Sequence, residues 1–99
     1  MYLLQGKLTA VDGAQEELAS ILIEASKLME NVEGNEFYLV GKALEDANGV
    51  YVTELWHSKE DHDNSLQYPG VKELIMRAMP LLDGAPEKGK EIQVLNAVK

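Results

Sequence analysis

The strongest constraint in this sequence is a pair of neighbouring apolar segments, residues 36–45 and 50–56, which are separated by the turn sequence DANG. Both segments are rich in β-branched, aromatic and leucine residues, and the sequence between them is typical of a β-hairpin. One face of 50–56 carries Val50, Val52, Glu54 and Trp56, and the other carries Tyr51, Thr53 and Leu55. Because neither face is mainly polar, the predicted sheet has to be covered on both sides. Helices would cover one side, and a second subunit is the simplest cover for the other.

An amphipathic helix is predicted between a first strand, residues 2–10, and the hairpin. Asp12 and Gln15 have the spacing of an N-terminal capping box, and Gly34 lies where the helix is expected to stop. The residues between them form one apolar stripe at steps of three and four. Its members are Leu18, Ile21, Leu22, Ala25, Leu28, Met29 and Val32.

The second helical region is predicted to be divided in two. Ser58 and Asp61 form another capping box, which opens a short helix over about 59–67. A second amphipathic helix begins at residue 70 or 71, and Pro80 predicts a kink or an end because proline cannot donate a helical hydrogen bond.

An exposed loop over 81–90 and a last strand over 91–98 complete the predicted elements. Their order is βαββαβ with a split second helix, which is the ferredoxin-like pattern of the α+β class. We therefore expect one domain, residues 1–99, with an antiparallel four-stranded sheet and helices on one face.

The composition excludes several classes of function. The chain of 99 residues has 17 acidic and 9 basic residues, a formal net charge of -8. This charge argues against binding to nucleic acid or to an anionic membrane surface. The absence of cysteine excludes disulfides and thiolate chemistry. Neither a signal peptide nor an apolar run of about 20 residues is visible, so a cytoplasmic protein is expected.

The central part of the sequence resembles a known family. Glu54-x-Trp56, the acidic segment SKEDHDNSL (58–66) and Pro69-Gly70-Val71 follow the order found in the antibiotic biosynthesis monooxygenase family, including its quinol monooxygenase-like members. This resemblance implies a subunit that dimerises through its sheet into an α/β barrel. It also implies a pocket between sheet and helices, in which a small phenolic or quinol compound is oxidised by dioxygen without a metal, flavin or other cofactor.

The resemblance has one departure, which directs attention to His62. Many family members have a histidine nine residues after the tryptophan, where this chain has Ser65. His62 lies one helical turn earlier, about 40° from Leu66 on a helical wheel, and Leu66 is expected to face inward. Histidine suits the reaction because an oxidisable phenol must first lose a proton, and histidine titrates near neutrality.

The predicted site therefore has His62 as the catalytic base. The predicted substrate-binding residues are Trp56, Ser65, Tyr38, Glu54 and Leu66. No metal ligand is predicted, because His57 and His62 are five residues apart across a strand–helix junction, and helical zinc pairs are separated by three or four.

Structural interpretations stay open beside these functional ones. Trp56 would serve equally as a core anchor, His62 as a partly buried structural histidine, and Tyr38 and Tyr51 as packing or interface residues. His57 is expected to be a solvated surface residue. At the level of function, the alternatives are a non-catalytic ligand-binding or regulatory dimer on the same fold and, less favoured, haem degradation. Haem degradation is less favoured because no asparagine precedes Asn31.

Overall fold

The computed structural model describes residues 1–87 and 89–96. Its regular elements are β1 (Tyr2–Thr9), α1 (Gln15–Met29), β2 (Asn35–Lys42), β3 (Gly49–Trp56), α2 (Lys59–Ser65), α3 (Val71–Ala78), a 3-10 turn (Met79–Leu81) and β4 (Lys90–Gln93). The strands form one antiparallel sheet in the order β2-β3-β1-β4, and the helices pack on one face of it. The predicted ferredoxin-like α+β fold with a divided second helix is confirmed.

The core lies between the helices and the covered face of the sheet. Alternation along β3 directs Val50, Val52 and Trp56 into this layer, and all three are buried. One cluster, around Leu18 and Val50, joins α1 to α3, while a smaller one forms where Trp56 meets Met29 and Val71. Trp56 is fully buried, so it anchors the end of the sheet beneath α2 and α3.

The other face of the sheet carries an apolar surface that the described residues of the chain leave open. Leu39, Tyr51 and Ile92 lie on it, with 58%, 40% and 45% of their surfaces exposed. The strand register places Leu39 opposite Thr53 and Tyr51 opposite Lys7, so this face is apolar with polar interruptions.

The predicted capping box at Asp12 and Gln15 is wrong. Helix α1 begins at Gln15 after Ala14, and no side chain caps it. Asp12 instead accepts a hydrogen bond from Asn48 Nδ2 at 2.8 Å, while Gln15 Nε2 donates to the carbonyl oxygens of Asp46 (3.1 Å) and Gly49 (2.9 Å). The β2–β3 connection lies against this end of α1 and uses both side chains, so tertiary contacts replace the local cap.

The cap predicted at Ser58 is present, since its Oγ accepts a hydrogen bond from the Asp61 backbone N–H at 3.1 Å. Helix α3 gives way to a 3-10 turn that contains Pro80, so the end predicted there is confirmed. No helix in the described part of the chain is both long and apolar enough to cross a membrane.

Several element boundaries are shorter than predicted. Strand β2 ends at Lys42 rather than at residue 45, because residues 43–48 form the turn and Leu44 is fully exposed. Helix α2 ends at Ser65 rather than at residue 67. Strand β4 ends at Gln93, where its pairing with β1 ends, and residues 97 and 98 of the predicted strand lie outside the described residues.

Candidate functional site

A cavity of about 330 Å³ lies between the helices and the covered face of the sheet. This volume is at the lower end of the range for small-molecule sites. Its wall is mainly apolar and includes Leu22, Ala25, Leu74, Ile75, Met79 and Leu82. The polar side chains that reach it are Tyr38, Glu54, His62 and Ser65. The cavity therefore has a large apolar wall and one small group of polar residues.

Glu54 supplies the buried carboxylate of this polar group. It lies on the covered face of β3 between Val52 and Trp56, and its side chain is 13% exposed. Trp56 Nε1 donates a hydrogen bond to Glu54 Oε1 at 3.1 Å. Burial raises the pKa of the Glu54 carboxyl above its usual range, although the nearby His62 and the Trp56 hydrogen bond partly offset this effect.

His62 points from α2 toward Glu54, with its Nε2 at 4.0 Å from Glu54 Oε1. Only 15% of the His62 side chain is exposed. Its Nδ1 lies 3.0 Å from Asp63 Oδ1, and its ring centre lies 5.7 Å from that of Tyr2 and 5.8 Å from that of Trp56. The imidazole is thus held between two aromatic rings and two carboxylates. If Nδ1 carries the proton that Asp63 accepts, Nε2 faces the cavity as a free base.

Tyr38 lies on β2 directly opposite Glu54 on β3. Burial raises the pKa of the Tyr38 hydroxyl, and the neighbouring Glu54 charge raises it further. The phenol therefore keeps its proton at neutral pH and is available as a hydrogen-bond donor or acceptor at the polar end of the cavity.

Ser65 and Leu66 both line the cavity but differ in burial. Ser65 is buried, and its Oγ donates a hydrogen bond to the His62 carbonyl oxygen at 2.5 Å. Leu66 lines the cavity but is 50% exposed, so it is only partly directed inward. The buried direction of α2 lies between His62 and Ser65, which leaves Leu66 on the solvent side of His62 at the cavity rim.

Trp56 does not line the cavity. It is fully buried behind the wall, where it contacts the edge of His62 and holds Glu54 through its indole N–H. His57 is outside the site altogether: its side chain is 56% exposed and its Nε2 lies 2.5 Å from Glu36 Oε1. Tyr51 lies on the open face of the sheet, away from the cavity.

Two neighbours of His62 were missed by sequence reasoning. Tyr2 reaches the site because β1 pairs with β3 so that Tyr2 lies opposite Trp56, which no local pattern reveals. Its hydroxyl donates to Glu91 Oε2 at 2.8 Å, and its pKa is raised to about 12, first by burial and then by Glu91. Asp63 follows His62 directly in the sequence, and this adjacency was the available signal.

The described residues contain no group of three or more histidine, cysteine, aspartate or glutamate side chains arranged to hold a metal ion. Among the ionisable residues of the site, His62 lies between two carboxylates, those of Glu54 and Asp63. Such an arrangement can take up a proton inside the cavity and holds the imidazole in a fixed orientation.

The sequence profile described as "Antibiotic biosynthesis monooxygenase" matches residues 1–76, more than three quarters of the chain. The chain belongs to the antibiotic biosynthesis monooxygenase family. No curated protein matches the sequence.

Solved structures resemble this family member along almost its whole length. The "putative Antibiotic biosynthesis monooxygenase" of Chloroflexus aurantiacus J-10-fl is 30% identical, with a TM-score of 0.87, over 99% of this chain and 96% of that protein. A protein of the same description from Deinococcus radiodurans is 22% identical, with a TM-score of 0.84, over 100% of this chain and 97% of that one.

SnoaB from Streptomyces nogalater, described as a cofactor-independent oxygenase and solved as a mutant, shares the fold. It is 13% identical, with a TM-score of 0.81, over 98% of this chain and 95% of SnoaB. At this identity the likeness concerns the fold alone.

Proposed function

We propose that this family member is a monooxygenase that oxidises a small phenolic or quinol compound with dioxygen and needs no metal or organic cofactor. The observation that carries the proposal is the position of His62, which is largely buried at the polar end of an otherwise apolar cavity. Membership of the antibiotic biosynthesis monooxygenase family and the shared fold of a cofactor-independent oxygenase support it.

The first step is the removal of a proton from the substrate. His62 Nε2 accepts the proton of a ring hydroxyl, and Asp63 Oδ1, 3.0 Å from Nδ1, stabilises the imidazolium that forms. The resulting anion is a far better one-electron donor than the neutral phenol. It transfers an electron to dioxygen, which otherwise reacts poorly with closed-shell molecules because its ground state is a triplet.

The electrons for the whole reaction come from the substrate. A semiquinone radical and superoxide combine to form a carbon–oxygen bond at the ring, and cleavage of the oxygen–oxygen bond then releases water. For a hydroquinone with a free ring position, one hydroquinone and one O₂ give one hydroxyquinone and one H₂O. The apolar wall of the cavity excludes bulk water from the radical pair.

The proposal includes a homodimer formed through the open face of the sheet, in a single domain covering residues 1–99 and located in the cytoplasm. Leu39, Tyr51 and Ile92 on this face are half exposed, and burial of such a surface stabilises association. Leu39→Asp should dissociate the dimer, as measured by sedimentation velocity. Leu44→Asp, in a fully exposed turn position, is the matched control and should remain dimeric.

Oxygen uptake tests the reaction itself. Purified protein is mixed with a panel of hydroquinones and naphthohydroquinones in an oxygen electrode, and the products are identified by mass spectrometry with ¹⁸O₂. Uptake above the buffer rate with one labelled oxygen atom in the product is expected. A panel in which no compound is consumed faster than in buffer, or uptake that yields only unlabelled quinone and peroxide, would exclude monooxygenation of this class.

The second candidate is a dimer that binds a small molecule without turnover. It is favoured by one observation, that Ser65 stands where many family members have a histidine and donates its hydroxyl proton to the helix backbone. A ligand that binds in the cavity and is recovered unchanged after prolonged aerobic incubation would establish this role.

A further inference from the structure

We propose that Glu54 makes the cavity selective for uncharged aromatic ligands and causes it to reject those that carry a carboxylate beside the ring hydroxyl. The inference rests on the proposed function only in taking this cavity as the substrate site. It concerns which phenols enter, and it holds whether or not they are oxidised.

The charge around the polar end of the cavity is predominantly negative. His62 is flanked by two carboxylates, with Glu54 Oε1 at 4.0 Å from Nε2 and Asp63 Oδ1 at 3.0 Å from Nδ1. Even a protonated imidazole would therefore leave this group with a net negative charge. The Asp63 side chain is 55% exposed, so the repulsion that an anionic ligand meets inside the cavity comes mainly from Glu54, which is 13% exposed and weakly screened.

The described wall of the cavity also lacks a cation that would compensate this charge. Among the described residues that line the cavity there is no lysine or arginine. A neighbouring pocket, whose lining also includes Tyr38 and Glu54, does contain Lys7. The Lys7 ammonium, however, lies with Tyr51 on the opposite face of the sheet and pairs with Asp46 at 3.1 Å. It is not available to neutralise a carboxylate inside the cavity.

Several hydrogen-bond donors at the polar end of the cavity are already used by protein groups. The Trp56 indole N–H is used by Glu54, the Ser65 hydroxyl by the His62 carbonyl, and the second ring nitrogen of His62 lies beside Asp63. What remains facing the cavity is acceptor capacity on Glu54 and on His62 Nε2, together with the Tyr38 hydroxyl, which lies opposite Glu54 and can donate or accept. Such a site recognises a ligand that donates a proton, as a phenol does, and offers few donors to an incoming anion.

Binding of two ligands that differ by one carboxylate tests this selectivity. Dissociation constants of 1,4-dihydroxynaphthalene and 1,4-dihydroxy-2-naphthoate are measured by calorimetry under anaerobic conditions, so that neither ligand is consumed. We expect the carboxylated ligand to bind wild-type protein at least about 30-fold more weakly, since like charges in a desolvated contact are strongly unfavourable. Glu54→Gln keeps the size of the side chain and removes its charge, and it should reduce the difference to about 3-fold.

Glu36→Gln is the matched control, because it makes the same change at a carboxylate outside the cavity. It should leave the wild-type difference unaltered. Equal binding of the two ligands by wild-type protein would overturn the inference without reference to any variant. So would an undiminished difference in a folded Glu54→Gln protein, or failure of both ligands to bind.

The outcome is separable from that of the proposed function. Selective binding, with no compound of the hydroquinone panel consumed faster than in buffer, would exclude the monooxygenase proposal and leave the selectivity standing. Oxidation of both ligands, together with similar dissociation constants for the two, would overturn the selectivity and support the monooxygenase proposal.

Discussion

The two histidines of this chain lie five residues apart, each beside a glutamate, yet their surroundings differ completely. His57 and Glu36 approach to 2.5 Å, with 56% and 35% of their side chains exposed. His62 and Glu54 are 4.0 Å apart, with 15% and 13% exposed. The closer pair lies in water, where screening and competing hydration leave little net interaction. Burial, more than distance, therefore decides which imidazole can carry chemistry.

The difference arises from the element that carries each residue. His57 follows the last residue of β3, and its backbone N–H donates to the Gly34 carbonyl oxygen at 2.8 Å while its side chain points outward. His62 lies one turn into α2 and is enclosed by Tyr2 and Trp56, which meet across the β1–β3 pairing. Two residues of the same type thus become a surface group and a cavity group.

The largest expected effect is on catalysis. His62→Gln should lower kcat/KM for the best hydroquinone by about 100-fold, the loss typical of removing a general base. His57→Gln should change it by less than about 2-fold, because that side chain does not reach the cavity. Oxygen uptake of both variants beside wild type measures the contrast, and similar losses at the two positions would refute different roles for the two histidines.

Gly34 lies beside both histidine-bearing segments, since its carbonyl oxygen accepts a hydrogen bond from the His57 N–H and it packs against Asp61 in α2. Its replacement should have the next largest effect, which is on the free energy of unfolding. It has a φ of 89°, and an added Cβ would lie 2.2 Å from Asp61 Oδ2 in α2. Gly34→Ala should lower the free energy of unfolding by roughly 2–4 kcal/mol, the sum of backbone strain and displacement of α2.

Gly13→Ala is the control for the backbone strain. Gly13 has a φ of 83° but no atom within 4 Å of the added Cβ, so its cost should be only about 1 kcal/mol. Urea unfolding of both variants gives the comparison. Equal costs would mean that α2 moves freely and does not hold His62 in place.

The buried pair should also differ from the exposed pair in the pH dependence of stability. Burial raises the pKa of Glu54 above its value of 4.5 in the unfolded chain, so the folded state holds this proton more tightly. Stability is therefore lost as pH rises from the unfolded pKa through the folded one.

Glu54→Gln removes this loss. The variant should gain a few degrees of Tm relative to wild type at about pH 7.5 and gain least at about pH 4, where the carboxyl is protonated in both states. Thermal unfolding followed by circular dichroism at the two pH values measures the gain. Glu36→Gln is the exposed counterpart. A larger gain in Tm for Glu36→Gln than for Glu54→Gln would show that burial of the carboxyl is not the cause of the lost stability.

The smallest effect is expected at Ser65, next to the buried histidine. Its hydroxyl already donates to the His62 carbonyl oxygen at 2.5 Å, so Ser65→Ala should alter ligand affinity by less than about 3-fold. A loss of more than about 10-fold in calorimetric titration would show instead that Ser65 contacts the ligand directly.

Local sequence signals were sufficient where a single element decides the outcome. The alternation in 50–56, the stripe of α1, the Ser58 cap and the stop at Pro80 all correspond to observed features. They failed where another element intervened. Asp12 and Gln15 are drawn away from the helix terminus by the β2–β3 connection.

The sequence by itself determined the element order, the apolar character of both faces of the sheet, and the presence of Glu54, Trp56 and His62 near one junction, because these depend on residue order and periodicity along the chain. Only the tertiary structure decided how deeply His62 is buried, which groups face it and which donors remain free. Those properties depend on strand register and on the packing of α2 against β1 and β3, through which Tyr2, Glu54 and Trp56 meet His62.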